Sequence, residues 1–424
     1  MRLRKILVLA LLIVPLRSGA AAASACHVEA VPAATLLLPY FEVDLADPNG
    51  LTTLFSINNA SATAVLAHVS IWSDLAVPVL NFNVYLTGYD VQTINLRDVV
   101  IYGNLPQTAT AGQDPSDAIS PRGQFSQDIN FASCTQFLPP PPLPASYVSH
   151  LQLALTGRPS PVLANLCAGR LLGDNVALGY VTVDTVDNFT LRFPGDAGYF
   201  AANGAGDATD QNVLWGSWII VNAAQGFAQG SNMVAVVADG ADPAISTPGQ
   251  YTFYGRYDNW SAVDHRQPLA THFAAQYAVG GAFDAGTSLL VWRDPKVAQG
   301  AFDCAATPSW YPLGQEAVAI LDEQEHPAML HCNIVPCPPF TLVPAPAAAQ
   351  RTGVNSPALP VPFDFGWLHL DLNTAVTAAG PNPPEDPLAA QAWVVVTESS
   401  HGRFAAAFDA FRLESACVAN HVFF

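Results

Sequence analysis

The chain has 424 residues, of which 50% are hydrophobic and only 12% are charged, and its formal net charge is −18 at pH 7. A surface this acidic repels phosphate backbones, which excludes nucleic acid as the expected partner. The length alone predicts two domains.

Residues 1–25 have the pattern of an export signal. Arg2, Arg4 and Lys5 give it a basic start, an apolar stretch follows, and Ala23-Ser24-Ala25 forms a small-residue cleavage site. The signal carries four of the 16 basic residues and no acidic one, so cleavage leaves 12 cations against 34 acids and a formal charge of −22. No other apolar stretch is long enough for a transmembrane helix, so we expect an exported chain without one.

Cysteines in an exported chain predict disulfides. Cys26 would be the first residue after cleavage, and a lipid anchor there is one alternative. A lipoprotein signal usually has Leu three residues earlier, where Ala23 stands, so a Cys26–Cys417 bond or a free thiol is favoured. The other predicted bonds are Cys134–Cys167 and Cys304 with Cys332 or Cys337. The disulfide candidates are therefore Cys26, Cys134, Cys167, Cys304, Cys332, Cys337 and Cys417.

Short segments rich in Val, Thr, Leu, Phe and Tyr lie between clusters of Gly, Pro, Asn and Asp, a pattern typical of antiparallel sheets. Leu368, Leu370 and Leu372 alternate with polar or amphipathic residues, as in a strand with one buried face. The predicted strands are 147–155, 176–184, 218–221, 233–237, 289–292, 367–372 and 393–397. The predicted fold class is all-β, with two tandem antiparallel β-sandwich domains of the Ig-like or jelly-roll-like kind.

The second half repeats the first in five short segments and in the same order, which predicts two copies of one domain. We expect a first domain at 26–260, with a Pro-rich insert at about 101–146, and a second domain at 261–424. The matched segments are 34–35 with 270–271, 52–57 with 287–292, 83–86 with 318–321, 179–184 with 366–371, and 218–221 with 393–396.

Asp322, Glu323 and Glu325 form a weak acidic cluster, with His326, His331, Cys332 and Cys337 close behind. Two His and two Cys could bind zinc, but their spacing is not a standard one and exported cysteines oxidise. Glu323 and Glu325 would share one face of a strand and could act as acid and base. A plain turn at the end of a strand is the favoured interpretation, so we predict no catalytic or metal residue here.

Aromatic residues crowd the end of the first predicted domain. Tyr254, Tyr257 and Trp260 are candidate ligand-facing residues because aromatic rings can stack on sugars, although packing inside a sheet interface is favoured.

Two further patterns offer weak sites. Calcium could bind two oxygen-rich turns, but plain turns are favoured over it. A hydrolase set would need Ser400 and His401, or His369 with Asp371, but no nucleophile elbow occurs. The oxygen-rich turns are Asp44, Asp47, Asn49 and Gly50, and then Gly204, Asp207 and Asp210.

Together these patterns predict a non-enzymatic binding or interaction protein of bacterial type, located at the cell surface, in the periplasm or outside the cell. Its partner would be a protein or a glycan. The alternative is a secreted glycan-directed protein, either a carbohydrate-binding module or a hydrolase using Glu323 or Glu325. An outer-membrane β-barrel component is the least favoured interpretation.

Overall fold

The computed structural model of the protein describes residues 31–107, 137–138, 140–201, 205–281, 286–295, 300–306, 315–328, 341–344, 347–372, 391–400 and 404–413. Their regular structure is almost entirely antiparallel sheet, so the predicted all-β class is confirmed.

Nine strands form the first copy of the repeat. Five of them make a sheet in the order β4-β3-β6-β1-β9, and four make a second sheet in the order β5-β2-β7-β8. The strands are β1 Thr35–Asp44, β2 Leu51–Asn59, β3 Val65–Ser73, β4 Pro78–Leu86, β5 Val91–Asn95, β6 Val176–Val186, β7 Leu214–Asn222, β8 Phe227–Asn232 and β9 Val234–Val236.

Nine further strands form the second copy, and their sheets have the orders β13-β12-β15-β10-β18 and β14-β11-β16-β17. Taken strand for strand, these are the two orders of the first copy, so the internal repeat is confirmed. The strands are β10 His272–Ala278, β11 Gly286–Arg293, β12 Gln315–Leu321, β13 Thr341–Pro344, β14 Ala349–Gly353, β15 Phe365–Asp371, β16 Ala392–Ser400, β17 Phe404–Asp409 and β18 Phe411–Arg412.

Individual hydrogen bonds fix the register of the repeat. The Thr53 hydroxyl donates to the Glu42 carbonyl and accepts from the Glu42 amide, both at 3.0 Å. Thr287 makes the same pair of bonds with Ala278, at 2.8 and 2.9 Å. Thr53 is therefore the counterpart of Thr287, and β2 residues correspond to β11 residues 234 positions later.

Equivalent glycines mark β6 and β15. A Cβ on Gly179 would lie 1.9 Å from the Trp72 carbonyl oxygen, and a Cβ on Gly366 would lie 2.0 Å from that of Leu321. Only glycine permits so close an approach of the neighbouring strand.

This register corrects several of the sequence matches. Segment 318–321 belongs to β12, which pairs with β15 as β3 pairs with β6, so its predicted match with 83–86 in β4 was wrong. The matches for β1 and β2 were displaced by one residue, and Trp393 corresponds to Trp215 instead of Trp218. Alternating apolar residues look alike in every strand, which explains how such slips arise.

An insertion distinguishes the copies between β5 and β6, where the Pro-rich insert of about 101–146 was predicted. It contains α1 (Leu96–Val100) and α2 (Ala145–Leu155), and a short α3 (Pro243–Ser246) follows β9. The strand predicted at 147–155 was wrong. Pro144 caps α2, and Leu151, Ala154 and Leu155 share its buried side at helical spacing.

In the four-stranded sheet of the second copy, strands β11 and β16 are buried on both faces over most of their length. Leu289 and Val291 point into the second copy's own core. Leu290 and Trp292 alternate with them and join the core of the first copy. Trp292 lies between Tyr180 and Phe253, with ring centroids 6.0 and 5.5 Å away. The outward side of this sheet is thus the contact that unites the two copies.

Two ion pairs reinforce that contact. The Arg351 guanidinium donates two hydrogen bonds of 3.0 Å to the Glu42 carboxylate, which also accepts from the Tyr40 hydroxyl at 2.6 Å. Arg256, in the segment between the copies, pairs with Asp294 of the second copy, and both side chains are buried. Two-point geometry of this kind fixes the relative position of the copies.

A disulfide joins Cys167 in the first copy to Cys304 in the second. The predicted bonds Cys134–Cys167 and Cys304 with Cys332 or Cys337 were therefore wrong. Cysteine spacing shows which residues are near in sequence, whereas this bond joins two loops whose cysteines are 137 residues apart. Cys26, Cys134, Cys332, Cys337 and Cys417 lie outside the described residues.

None of the helices in the described ranges is long and apolar enough to cross a membrane.

The inter-copy contact predicts a stability difference between equivalent positions. Leu290→Ala should lower the free energy of unfolding by about 2–5 kcal/mol, because it leaves a cavity in a packed interface. Ser56→Ala, at the counterpart position on the first copy, should change it by less than about 0.5 kcal/mol. Urea denaturation of both variants measures the difference, and equal losses would contradict burial of the second copy's outward face.

Candidate functional site

The first copy has a sheet face that corresponds to the docked face of the second copy. Its residues include Leu54 and Ser56 on β2 and Trp215, Ser217 and Ile219 on β7, and we call it the open face. Ser217 and Ile219 are exposed, with 38% of the Ile219 surface accessible. Ser56 corresponds to Leu290, and Ser217 to Val395. The burial pattern of β7 alternates accordingly, whereas that of β16 is buried over its first six residues.

A groove runs where the open face meets the second copy. One hollow of about 820 Å³ lies between Ser217 and Ile219 on one side and Ala407 and Phe408 on the other. A second hollow of about 400 Å³ is lined by Trp215, Met233, Trp393 and Phe411. Asn232 and Asp409 line both hollows, so the two adjoin. Concave, largely apolar surfaces with a few polar groups are where ligands bind.

Charge is confined to the wall that the second copy supplies. The Asp409 carboxylate accepts hydrogen bonds from Trp393 Nε1 at 3.2 Å and from the Ser231 hydroxyl at 3.4 Å. Burial raises the pKa of Asp409. The Arg412 guanidinium lies 5.6 Å from the Trp393 ring, and burial lowers its pKa.

The floor of the groove is closed where the edge strands β8 and β17 meet. Gln229 Nε2 donates to the carbonyl oxygens of Glu398 and Ala406, at 2.8 and 3.0 Å. The next residue is Gly230, and β7 approaches it so closely that a Cβ there would lie 2.1 Å from the Trp218 carbonyl oxygen. The side chain of Gln229 thus occupies groups that an exposed strand edge would offer to another chain.

Comparison with protein-family models, with curated proteins and with solved structures gives no match. The fold and the site define a two-copy β-sandwich protein with one docked and one open sheet face.

The weak acidic cluster lies in a turn. β12 ends at Leu321, and Glu323 and Glu325 follow it in a turn, as in the favoured interpretation, with both side chains exposed. Asp322 accepts from the amides of Gln324 and His326, each at 2.8 Å, and these hydrogen bonds lower its pKa. Its carboxylate is therefore committed to closing the turn. His331, Cys332 and Cys337 lie outside the described residues.

The candidate ligand-facing aromatics pack inside the molecule. Tyr254 is 1% exposed, and its hydroxyl donates to Asp184 at 3.0 Å. The Tyr257 ring lies 5.4 Å from that of Trp72. Trp260 is partly exposed and lies 5.1 Å from Tyr251. These contacts match the favoured packing interpretation and leave Tyr254 no surface for a sugar.

A buried polar network surrounds Asp184, and sequence reasoning missed it. Its carboxylate accepts from Thr35, Tyr199 and Tyr254, and burial raises the pKa of both tyrosines. His68 pairs with Asp184 across β3 and β6, and burial lowers its pKa. Ser70, His68 and Asp184 resemble a hydrolase set in composition, but each is 0% exposed, so a substrate has no route to them.

Protein groups occupy the oxygen-rich turns. Arg97 donates to the carbonyl oxygens of Asp47 at 2.6 Å and Gly50 at 3.0 Å, and Asp44 accepts from the Ala46 amide at 2.8 Å. Asp207 accepts from Thr190 and Arg192, at 2.6 and 3.0 Å. Gly204 lies outside the described residues. Across the described ranges, no three His, Cys, Asp or Glu side chains converge as a metal site.

The remaining hydrolase candidates are described only in part. His369 and Asp371 share the outward face of β15, as predicted, and Asp371 lies 3.1 Å from His272 Nε2. Ser400 is 2% exposed, and His401 lies outside the described residues.

The segment between the copies is a strained loop stabilised by two carboxylates. Asn259, Trp260 and His265 have φ of 57°, 59° and 51°, a conformation that side chains disfavour. The Asp258 carboxylate accepts from three amides of this loop, and Asp264 accepts from the Tyr254 amide at 2.8 Å. Burial, followed by the charge of Asp258, raises the pKa of Asp264 to about 7.

The raised pKa of Asp264 predicts that the stability of the fold depends on pH. Its pKa rises on folding from the ordinary 3.8 to about 7, so the folded state binds the proton more tightly. The resulting stabilisation is complete below pH about 4 and is lost as pH rises through about 7.

The urea concentration at the unfolding midpoint should therefore decrease as the pH is raised from 5 to 8. Asp264→Asn should make this dependence on pH less steep. Asp187→Asn, at an exposed carboxylate, is the matched control and should leave the slope unchanged. An unaltered slope in Asp264→Asn would contradict the assignment to this carboxyl.

Proposed function

We propose that the protein is an exported, non-enzymatic binding protein of the cell surface or periplasm, and that the open face and its groove are its binding surface. The observation that carries this proposal is the contrast between the copies. The outward face of the second copy's four-stranded sheet is buried in the contact between the copies, whereas the corresponding face of the first copy is accessible. An accessible sheet face beside a groove with aromatic walls is typical of interaction sites.

Export is supported by the signal pattern at 1–25 and by the Cys167–Cys304 bond. Disulfides of this structural kind form and persist in oxidising compartments. A lipid anchor at Cys26 would hold the protein at a membrane surface.

The chemistry of the groove favours an uncharged ligand surface. The open face carries Leu, Ser, Trp and Ile, and the adjoining wall adds one Asp and one Arg. A protein segment with apolar side chains fits this composition. The glycan-directed alternative is favoured by a separate observation, which is that Trp215 and Trp393 line the same hollow as Asn232 and Asp409.

In-cell photo-crosslinking tests the proposal. A photo-reactive phenylalanine analogue at Ser217 should give a covalent adduct in the producing organism, because this position lies on the open face. The same analogue at Leu172, which is 51% exposed in the insertion between β5 and β6, is the matched control and should give none.

Mass spectrometry of the adduct identifies a protein or a glycan and so separates the two candidates. The identified partner should bind the purified protein, and Ile219→Lys should weaken that binding about tenfold or more, since it places a charge in an apolar contact. Equal adducts at Ser217 and Leu172, or none at either, would overturn the proposal.

A further inference from the structure

The contact between the two copies is of the head-to-tail kind. The outward face of a four-stranded sheet, represented by Leu290 and Trp292, packs on the outward face of a five-stranded sheet, represented by Tyr180 and Glu42. The two surfaces are different, so the contact is heterologous. A heterologous contact uses one kind of surface on each copy, so each copy retains the other kind.

Each kind of surface remains available once within the described part of the chain. The first copy retains the open face, which is the counterpart of the docked face. The second copy retains the outward side of β15, where Phe365 and Trp367 correspond to Leu178 and Tyr180 of the first copy. Phe365 is 54% exposed, and Phe411, 6.0 Å from the Trp367 ring, is 59% exposed.

From these two surfaces we infer that the protein self-associates head to tail, with the open face of one molecule on the Phe365–Trp367–Phe411 surface of the next. The inference rests on the proposed function of the open face and names a second copy of this chain as its partner. Tyr180 receives Trp292 within the chain. The exposed aromatic residues occupy the corresponding place on the second copy.

Charge and composition set the strength of this contact. The formal charge of −22 on the chain without residues 1–25 opposes self-association, and the open-face residues carry no charge that would add to this repulsion. Ser56 and Ser217 replace Leu290 and Val395, so the contact between molecules is weaker than the one within the chain. Association should therefore depend on protein concentration and strengthen as salt screens the acidic surfaces.

Sedimentation velocity of the chain without residues 1–25 tests the inference. The weight-average mass should rise with concentration in the micromolar to millimolar range and should not stop at the dimer. Ile219→Lys places a charge on the open face, and Phe365→Lys places one on the aromatic surface. Each variant alone should therefore stay at the mass of one chain. Val162→Lys, at a 52% exposed position in the insertion, should associate like the unaltered protein.

Mixing the two variants distinguishes this geometry from a symmetric dimer. Ile219→Lys retains an intact aromatic surface and Phe365→Lys an intact open face, so an equal mixture should form dimers and no larger species. A symmetric contact would remain blocked in the mixture.

Three results would overturn the inference: a monomer at every concentration, association of Ile219→Lys alone, or a mixture that stays monomeric. Intramolecular crosslinks from residue 365 to residues 414–424 would assign the aromatic surface to the chain's own end and overturn it as well. If the unaltered protein is monomeric while Ser217 forms an adduct with another molecule in cells, self-association fails and the proposed function stands.

Discussion

The structure depends on the burial of the second copy's outward sheet face against the first copy. Leu290, Trp292, Trp393 and Val395 belong to the hydrophobic core of the first copy although they lie on strands of the second. Apolar burial of this extent is the main force that unites the halves. The Glu42–Arg351 and Arg256–Asp294 pairs and the Cys167–Cys304 bond then fix the register of a contact that apolar packing alone would leave less specific.

This one contact also explains why two copies of the same topology differ on their surfaces. A strand buried on both faces is apolar at consecutive positions, as in Leu289 to Trp292. A strand with one accessible face alternates, as in Phe55 to Ile57 around Ser56. The serines of the open face therefore mark a surface that no described part of the chain covers as the first copy covers Leu290 and Val395. The functional interpretation follows from that asymmetry.

The fold class and the repeat could be predicted from the sequence because alternation and turn chemistry are local properties. The register could not. A match displaced by one residue in β2 paired Ser56 with Val291, which points into the second copy's own core, instead of Leu290. Since adjacent residues point to opposite faces, that slip concealed the open face.

Other parts of the site depend on contacts distant in sequence. Tyr254 appears in the sequence as one of several crowded aromatics, and only the tertiary structure shows its hydroxyl on Asp184, 70 residues earlier. The Cys167–Cys304 bond likewise joins loops that no spacing relates. In the insertion, the apolar segment 147–155 suggested a strand, whereas it belongs to α2, which Pro144 caps.

If the two copies share one packed core, they should unfold together. Differential scanning calorimetry of the chain without residues 1–25 measures this most directly, through the ratio of calorimetric to van't Hoff enthalpy. We expect a single transition with a ratio near unity. Two resolved transitions, one for each copy, would contradict a shared core, because the contact between the copies would then be too weak to make them one cooperative unit.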